Sequence, residues 1–441
     1  MSYILSIYSY LFEKDGNYYL YNSETDFFAV IDRGLYEHLY NENLKPLDSE
    51  TSGFLLEKKI IVEEKKKYDF YHKARLEYLS NIGIVDHLSL CFAPTTGCNF
   101  ACPYCYEGEK ENEVMPSEIV GHIVRYINGF KSVQEIDITW YGGEPLIAFG
   151  KMKEILKKIQ EECHVKIVSQ DIVTNGYCIT DEIIDFFNNN NFRGVQISFD
   201  GIEERHNSTR FLKGSQSGTF KKIIDNLDKL VNGLSEKTSI SLRINIHKDN
   251  EDDFAELYHF FMNRYPNRHL FIHPGFIEVP TCNEMRLCYH CFNEDTKYSF
   301  YKRMVEKGVN VDFIPTKKEK TCGVHHNNSI IIGPSGEIYK CWNDFNHPEK
   351  IVGNIVDNNI TNPSLLSQYL YDTIAYSNEQ CKNCYVFPVC SGGCSWMQYK
   401  NLFENRKYKL CSYLKDPHKL EDCLLSNKNK EVSNNFKINA E

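Results

Sequence analysis

The sequence has no long apolar run. No window of it resembles a membrane span, and the opening Met1-Ser2-Tyr3-Ile4-Leu5-Ser6 lacks the basic stretch of a secretion signal, with Glu13, Lys14 and Asp15 soon interrupting it. Positive charge is also short. The formal net charge is -10 over 441 residues, which excludes the basic footprint of a nucleic-acid-binding protein. Neither a membrane nor a nucleic acid is therefore expected as a partner. Aromatic residues, by contrast, are plentiful, so the chain is globular, and its length allows two or three domains with cores of their own. The 17 cysteines do not indicate a disulfide scaffold, because that class is short and secreted. They fit a cytoplasmic protein in a reducing, anaerobic setting, where clustered cysteines mean metal.

The rhythm of the chain divides it. Residues 1–86 read as a small α+β module, winged-helix-like in its element order. Strands over Tyr8–Phe12 and Tyr18–Tyr21 flank a hairpin turn at Asp15-Gly16-Asn17. A further strand covers Phe27–Ile31, helices begin at Leu35 and Ser52, and a strand covers Ile60–Val62. The charge run Glu63-Glu64-Lys65-Lys66-Lys67 has no apolar position to bury and marks a solvated boundary.

From residue 87 to 314 strands and helices alternate. Strands are expected over Leu88–Ala93, Ile136–Trp140, Lys166–Val173, Val195–Phe199, Ile240–Ile246, Leu270–Phe276 and Val309–Ile314, with helices between them, one N-capped by Thr180. Such alternation implies a parallel sheet, and about six units make an α/β fold with a partial (β/α)6 TIM-like barrel. Function then sits at the C-terminal strand ends. Residues 315–425 form a cysteine-rich third region with a hairpin around Ile330–Tyr339, and 426–441 a polar, disordered tail.

The unusual motifs fall at the expected strand ends. Cys98, Cys102 and Cys105 are spaced C-x(3)-C-x(2)-C with no fourth cysteine or histidine nearby. Structural zinc and electron-transfer 4Fe–4S clusters take four protein ligands. Three thiolates on a four-iron cube leave one iron open to a reactant. Zinc with a remote fourth ligand and reduced free thiols are the alternatives, and ligand softness and close spacing favour the cube. Gly142-Gly143-Glu144-Pro145 follows the second strand, where two glycines let the backbone approach a ligand closely and Glu144 offers a carboxylate. Asn175, Ser198, Asp200 and Arg243 stand at or near other strand ends and together supply donors and charges for a polar ligand. In the third region Cys322, Cys341, Cys381, Cys384, Cys390, Cys394 and Cys411 crowd a short stretch. Zinc ribbons are the plain account of them, and further iron–sulfur clusters the favoured one.

The three-cysteine loop with Tyr104 before its third cysteine, together with Gly-Gly-Glu-Pro, resembles the radical S-adenosylmethionine (SAM) superfamily. The third region is similar to that superfamily's SPASM domain, with C-x(13)-G-x(4)-C, a gap, C-x(2)-C-x(5)-C-x(3)-C, a gap and a last cysteine. The resemblance spans roughly residues 88 to 412. It implies that Cys98, Cys102 and Cys105 hold the SAM-binding 4Fe–4S cluster. Glu144 would meet the SAM amino group, Ser198 its ribose or carboxylate region, and Tyr104 its adenine side. It further implies that Cys381, Cys384, Cys390 and Cys411 hold one auxiliary cluster, and Cys322, Cys341 and Cys394 the other. Thr316 stands where some relatives place a fourth ligand, so Cys282, Cys288 or Cys291 could donate a thiolate, or one iron stays open. Cys91, Cys163, Cys178 and Cys423 read as ordinary thiols.

What the resemblance implies about function is a peptide maturase. A 5′-deoxyadenosyl radical would modify a ribosomally made precursor peptide, forming a thioether or similar cross-link, with electrons from a flavodoxin or ferredoxin. The N-terminal module would bind a leader peptide as an added strand along Tyr18–Tyr21 or Phe27–Ile31. The alternative is an anaerobic sulfatase-maturing enzyme, which makes formylglycine. A cluster-bearing electron-transfer protein without SAM chemistry is the rival from another class. No residue stands out as a general base.

Overall fold

Aspartate and glycine at positions 15 and 16 start the first sheet. Their backbone φ angles are +53° and +75°, the pair of left-handed conformations that a tight two-residue hairpin requires. In this computed structural model residues 2–44, 47–83, 86–107, 112–277, 291–313, 315–318 and 322–426 are described. By its contacts the chain divides into two compact units. One comprises 1–82, 294–322 and the chain from 372 onward, and the other 83–293 and 323–371.

In the first unit, Tyr3–Leu5 (β1) pairs with Ile61–Glu63 (β5), while Ser9–Lys14 (β2), Asn17–Asn22 (β3) and Phe27–Ile31 (β4) form an antiparallel sheet in the order β2-β3-β4. Successive side chains of a strand face opposite ways, and β3 uses both faces. Leu20 packs with Ile31, Leu35, Leu39 and Leu55 beneath the helices Arg33–Tyr40 and Ser49–Glu57. Tyr19 and Tyr21 pack on the other side with Phe12, Phe313, Val386, Leu414 and Leu420. The N-terminal module thus shares its core with segments some 400 residues downstream.

Three sequence expectations change here. Tyr18–Tyr21 lies in the central strand and is paired on both sides, so it offers no edge; β4 does. The charge run at Glu63–Lys67 does not end the module. A single 3-10 turn carries it into a helix at Asp69–Ile82, whose Tyr71, Tyr78 and Ile82 are buried against Phe387, Ile374 and Ala375. Val309 and Phe313 are buried, but no strand forms among the described residues of 309–314, because the segment packs side chains into the tyrosine-lined core without a pairing partner.

The C-terminal helix Pro417–Leu425 is held by Asp422, which accepts hydrogen bonds from Lys14 (2.9 Å), Lys302 (2.6 Å) and Tyr298 (2.6 Å). Burial opposes the charge, but these three donors outweigh it and hold the carboxyl well below the usual range. A depressed carboxylate contributes stability that is complete above its unfolded value of about 3.9 and is lost as the pH falls below it. Melting curves of the wild type and Asp422→Asn should therefore differ at neutral pH, and the difference should shrink steadily as the pH falls below about 3.9. A gap independent of pH would contradict this role.

The second unit is built on six parallel strands in chain order: His87–Phe92 (β6), Glu135–Trp140 (β7), Lys166–Thr174 (β8), Phe192–Phe199 (β9), Ser239–Ile246 (β10) and Leu270–Phe276 (β11). Helices lie between them. Ser117–Gly129 buries Ile119, Val120, Ile123, Val124 and Ile127 on one stripe, the spacing of an amphipathic helix. Thr180 caps the helix Asp181–Asn189. The hairpin expected around residue 335 is present as Ser329–Ile332 (β12) and Glu337–Tyr339 (β13), and β12 adds to β6 in parallel, extending the sheet. On β9 and β10 one face is apolar and fully buried, through Val195, Ile197, Leu242 and Ile244, while the other carries the half-buried Gln196, Ser198, Ser241, Arg243 and Asn245. A closed eight-stranded barrel fills its interior with apolar side chains; here one face of the sheet presents polar groups instead.

Candidate active site

The loops after β6, β7, β8 and β9 are tied together by backbone and carboxylate. The N–H groups of Gly143 and Glu144 donate to the carbonyl oxygens of Thr95 (3.1 Å) and Gly97 (2.8 Å). A Cβ on Gly143 would lie well under 3.0 Å from the carbonyl oxygens of Thr96 and Gly97, and one on Gly142, where φ is +108°, would lie 2.5 Å from Thr95 O. The close approach these glycines permit is made to the cysteine loop. Glu144 is 1% exposed. Its carboxylate accepts from the Thr174 hydroxyl (2.7 Å), the Asn175 N–H (2.6 Å) and the Leu146 N–H (3.0 Å). Burial still raises its pKa, against the pull of those donors. Asn175 in turn donates its side-chain amide to Asn99 Oδ1 at 2.7 Å, beside the Cys98 sulfur at 4.0 Å.

Asp200, at the end of β9, anchors the other side of the cysteine loop. It accepts from the Tyr104 hydroxyl, from Thr209 (2.8 Å) and from Asn245 (3.0 Å). Its oxygens are thus engaged within the protein. Ser198 stands directly beside Arg243 across β9 and β10, and Arg243 donates to Asn245 Oδ1 at 3.0 Å. The structure therefore assembles Tyr104, Gly142, Gly143, Glu144, Asn175, Ser198, Asp200 and Arg243 around one end of one sheet. Burial raises the Cys102 thiol to a pKa of about 11, with the nearby Arg210 pulling it down.

The sequence reading passed over Arg210, Tyr106, Tyr141 and Trp342. The Tyr106 and Tyr141 hydroxyls meet beside the cysteine loop, and Trp342, 40% exposed, packs edge-on against Tyr141 at 4.3 Å. No short motif marks these residues. The usable signal was the position of Tyr106 and Trp342 directly after Cys105 and Cys341.

In the first unit Cys381, Cys384, Cys390 and Cys411 line one cavity, together with Val386, Phe387 and Leu410. Burial and then the other three thiols raise Cys381 to a pKa of about 11. Among the described residues no group of three or more His, Cys, Asp or Glu side chains is placed to hold a metal ion. A four-iron cube has four separate corners, so thiols spread around an apolar-walled cavity suit it better than they suit a single ion. Cys322 and Cys394 lie exposed in that same unit, and Cys341 is buried after β13 in the other. Cys282 and Cys288 lie outside the described residues, and Cys291 is buried. Cys91 and Cys423 are buried and Cys163 is half-buried. Cys178 accepts a long contact from the Asn99 amide at 3.8 Å. No helix among the described residues is long and apolar enough to cross a membrane.

Residues 92–261 match the radical SAM superfamily. The serine-type anaerobic sulfatase-maturating enzyme of Bacteroides thetaiotaomicron is 25% identical over 345 residues, spanning 67% of this chain and 80% of that protein. Native anSMEcpe, solved with bound AdoMet and the Cp18Cys peptide, shares the fold at a TM-score of 0.55 and 18% identity, over 77% of this chain and 99% of that one. SuiB of Streptococcus suis, solved bound to its precursor peptide SuiA, shares it at a TM-score of 0.52 and 15% identity, over 93% of this chain and 99% of that one.

Proposed function

We propose that this radical SAM enzyme of the SPASM type is a peptide maturase that forms a thioether or similar cross-link in a ribosomally made precursor. Its cofactors are SAM and 4Fe–4S clusters. We assign Cys98, Cys102 and Cys105 to the SAM-binding cluster, and Cys381, Cys384, Cys390 and Cys411 to one auxiliary cluster. The donor sets suit these groups: soft thiolates on a short loop beside a polar sheet face, and four thiols round one cavity. SAM held there would supply one-electron radical chemistry able to remove a hydrogen atom from the peptide. Ser198 and Arg243, side by side on the polar face, hold the carboxylate and ribose of SAM. Glu144 shapes the Gly142-Gly143 loop that faces its amino group, and Tyr104 borders its adenine.

The observation that carries the peptide reading is the N-terminal module with an edge strand at β4. SuiB, solved with its precursor peptide, covers 93% of this chain, whereas anSMEcpe covers 77%. A sheet edge accepts an extended segment through main-chain hydrogen bonds. Adding the precursor peptide should therefore slow amide hydrogen exchange over Phe27–Ile31, with little change in Tyr18–Tyr21, which is already paired. Unchanged exchange along β4 at saturating peptide would remove this module from substrate recognition. A full deletion of the module is a poorer test, because it would strip the core formed with Leu414 and Leu420.

A second reading is favoured by the curated relative from Bacteroides thetaiotaomicron. On that reading the chain oxidises a serine or cysteine of a sulfatase to formylglycine. Fragmentation of the product separates the two, because serine oxidation and a cross-link each remove two hydrogens.

A further inference from the structure

We propose that Arg210 is a positioning residue for the three-cysteine centre, locking the cysteine loop in place and holding a fixed positive charge beside Cys102. This rests on the reading that Cys98, Cys102 and Cys105 carry an iron–sulfur cluster.

The segment from Arg210 to Lys213 is zipped onto the cysteine loop. The Lys213 N–H donates to Asn99 O at 2.8 Å, and the Ala101 N–H donates to Phe211 O at 3.1 Å. Phe100 and Leu212 form an antiparallel bridge. The Arg210 side chain completes this strap. It is 7% exposed, donates from Nη1 to the Tyr104 hydroxyl at 3.1 Å, lies 3.7 Å from Asp200 Oδ1 and sits over the Phe100 ring at 5.5 Å. Tyr104 and Phe100 flank Cys102 on the loop, so the guanidinium is held from both sides of that thiol.

Two features indicate that the charge serves a group beyond these contacts. Arg210 Nε is buried with no hydrogen-bond partner among the described residues, and a buried unpaired donor of this kind is costly. Asp200, the one carboxylate bridged to Arg210 among the described residues, already accepts from Tyr104, Thr209 and Asn245. Neighbouring His206 adds no second positive charge, since burial and Arg210 hold its pKa well below the usual value. A thiolate-ligated cluster is an anion, and reduction adds a further negative charge. A buried cation beside one of its cysteines favours the reduced state, since net charge helps to set the potential. Lysine would keep the charge at this position, and glutamine would keep hydrogen-bonding groups without it.

The test uses full-length protein with its clusters reconstituted anaerobically. The EPR signal that changes on adding SAM identifies the three-cysteine cluster, and its midpoint potential is measured in the wild type, Arg210→Gln and Arg210→Lys. The expected result is a midpoint shifted to more negative potential in Arg210→Gln and held near the wild-type value in Arg210→Lys. Equal potentials in the wild type and Arg210→Gln would overturn the role of Arg210. Should the glutamine variant not assemble the centre, the lysine variant decides. A wild-type potential supports the charge role, and a potential that moves negative with the charge retained overturns it. A wild type with no SAM-responsive signal would instead overturn the cluster reading on which the proposal rests.

Discussion

Replacing Cys98, Cys102 and Cys105 together by alanine is expected to reduce SAM cleavage to background while leaving the fold in place. The three thiols are half-buried rather than core residues. Their loop is held by other groups: Thr96 N–H to Glu113 O at 3.0 Å, Glu144 N–H to Gly97 O at 2.8 Å and Lys213 N–H to Asn99 O at 2.8 Å. Small surface losses of this kind change stability by about 0.5 kcal/mol or less, which a melting curve would register as a minor shift. The chemistry, by contrast, has no substitute, because the thiolates are the proposed ligands of the centre that reduces SAM. 5′-Deoxyadenosine formed under strong reductant is the readout. Wild-type amounts from the triple variant would dissociate this loop from SAM chemistry.

Gly143→Ala is expected to have the next largest effect. The new methyl would lie well under 3.0 Å from two backbone carbonyl oxygens, those of Thr96 and Gly97. Neither is the movable end of a side chain, so the β6 and β7 loops must part. That would break the bonds from Gly143 to Thr95 and from Glu144 to Gly97, and would shift the Glu144 carboxylate that holds Thr174 and Asn175. Overpacking of this kind costs about 1–3 kcal/mol. The larger consequence falls on ligand geometry, with SAM affinity lowered by roughly tenfold or more, since about 1.4 kcal/mol of misfit suffices for that. Gly121→Ala is the control. Gly121 lies within the helix Ser117–Gly129, and a Cβ there meets only the end of the Arg125 side chain at 3.9 Å. It should bind SAM as the wild type does and gain about 0.5–1 kcal/mol of helix stability. Equal SAM binding by the Gly143 and Gly121 variants would contradict the account of the loop.

Much of this architecture was legible in the sequence because it is local. Strands of period two separated by amphipathic helices specify a parallel sheet, and the hairpin at Asp15-Gly16 has only a few backbone solutions. The C-x(3)-C-x(2)-C loop and Gly-Gly-Glu-Pro were legible for the same reason, as each carries its chemistry within a few residues. What stayed hidden is non-local or chemically plain. That Tyr19 and Tyr21 share a core with Leu414 and Leu420 depends on a contact across most of the chain, which no window contains. The helix Asp69–Ile82 buries mainly two tyrosines and an isoleucine behind a run of charges, so its apolar seam is faint. Tyr18–Tyr21 and Phe27–Ile31 look alike as strands, and only the pairing order makes one central and the other an edge. Arg210 is one arginine in a polar stretch. Its meaning comes from the fold that brings Phe100, Tyr104 and Asp200 around it.

Gly142 and Gly143 make their close backbone approach to the loop that follows β6, a contact between two strand ends that neither motif records by itself. They admit the cysteine loop itself, so the two motifs form one structure. Their joint presence is therefore more specific than either alone.

The measurement that tests the central claim most directly is the mass of a candidate precursor peptide after anaerobic incubation with reconstituted enzyme, SAM and a strong reductant. The account predicts the loss of two hydrogens per event, with fragmentation blocked between the joined residues and one 5′-deoxyadenosine formed per cross-link. A product in which a serine or cysteine has become formylglycine, with no cross-link, would contradict it and establish the sulfatase-maturing alternative.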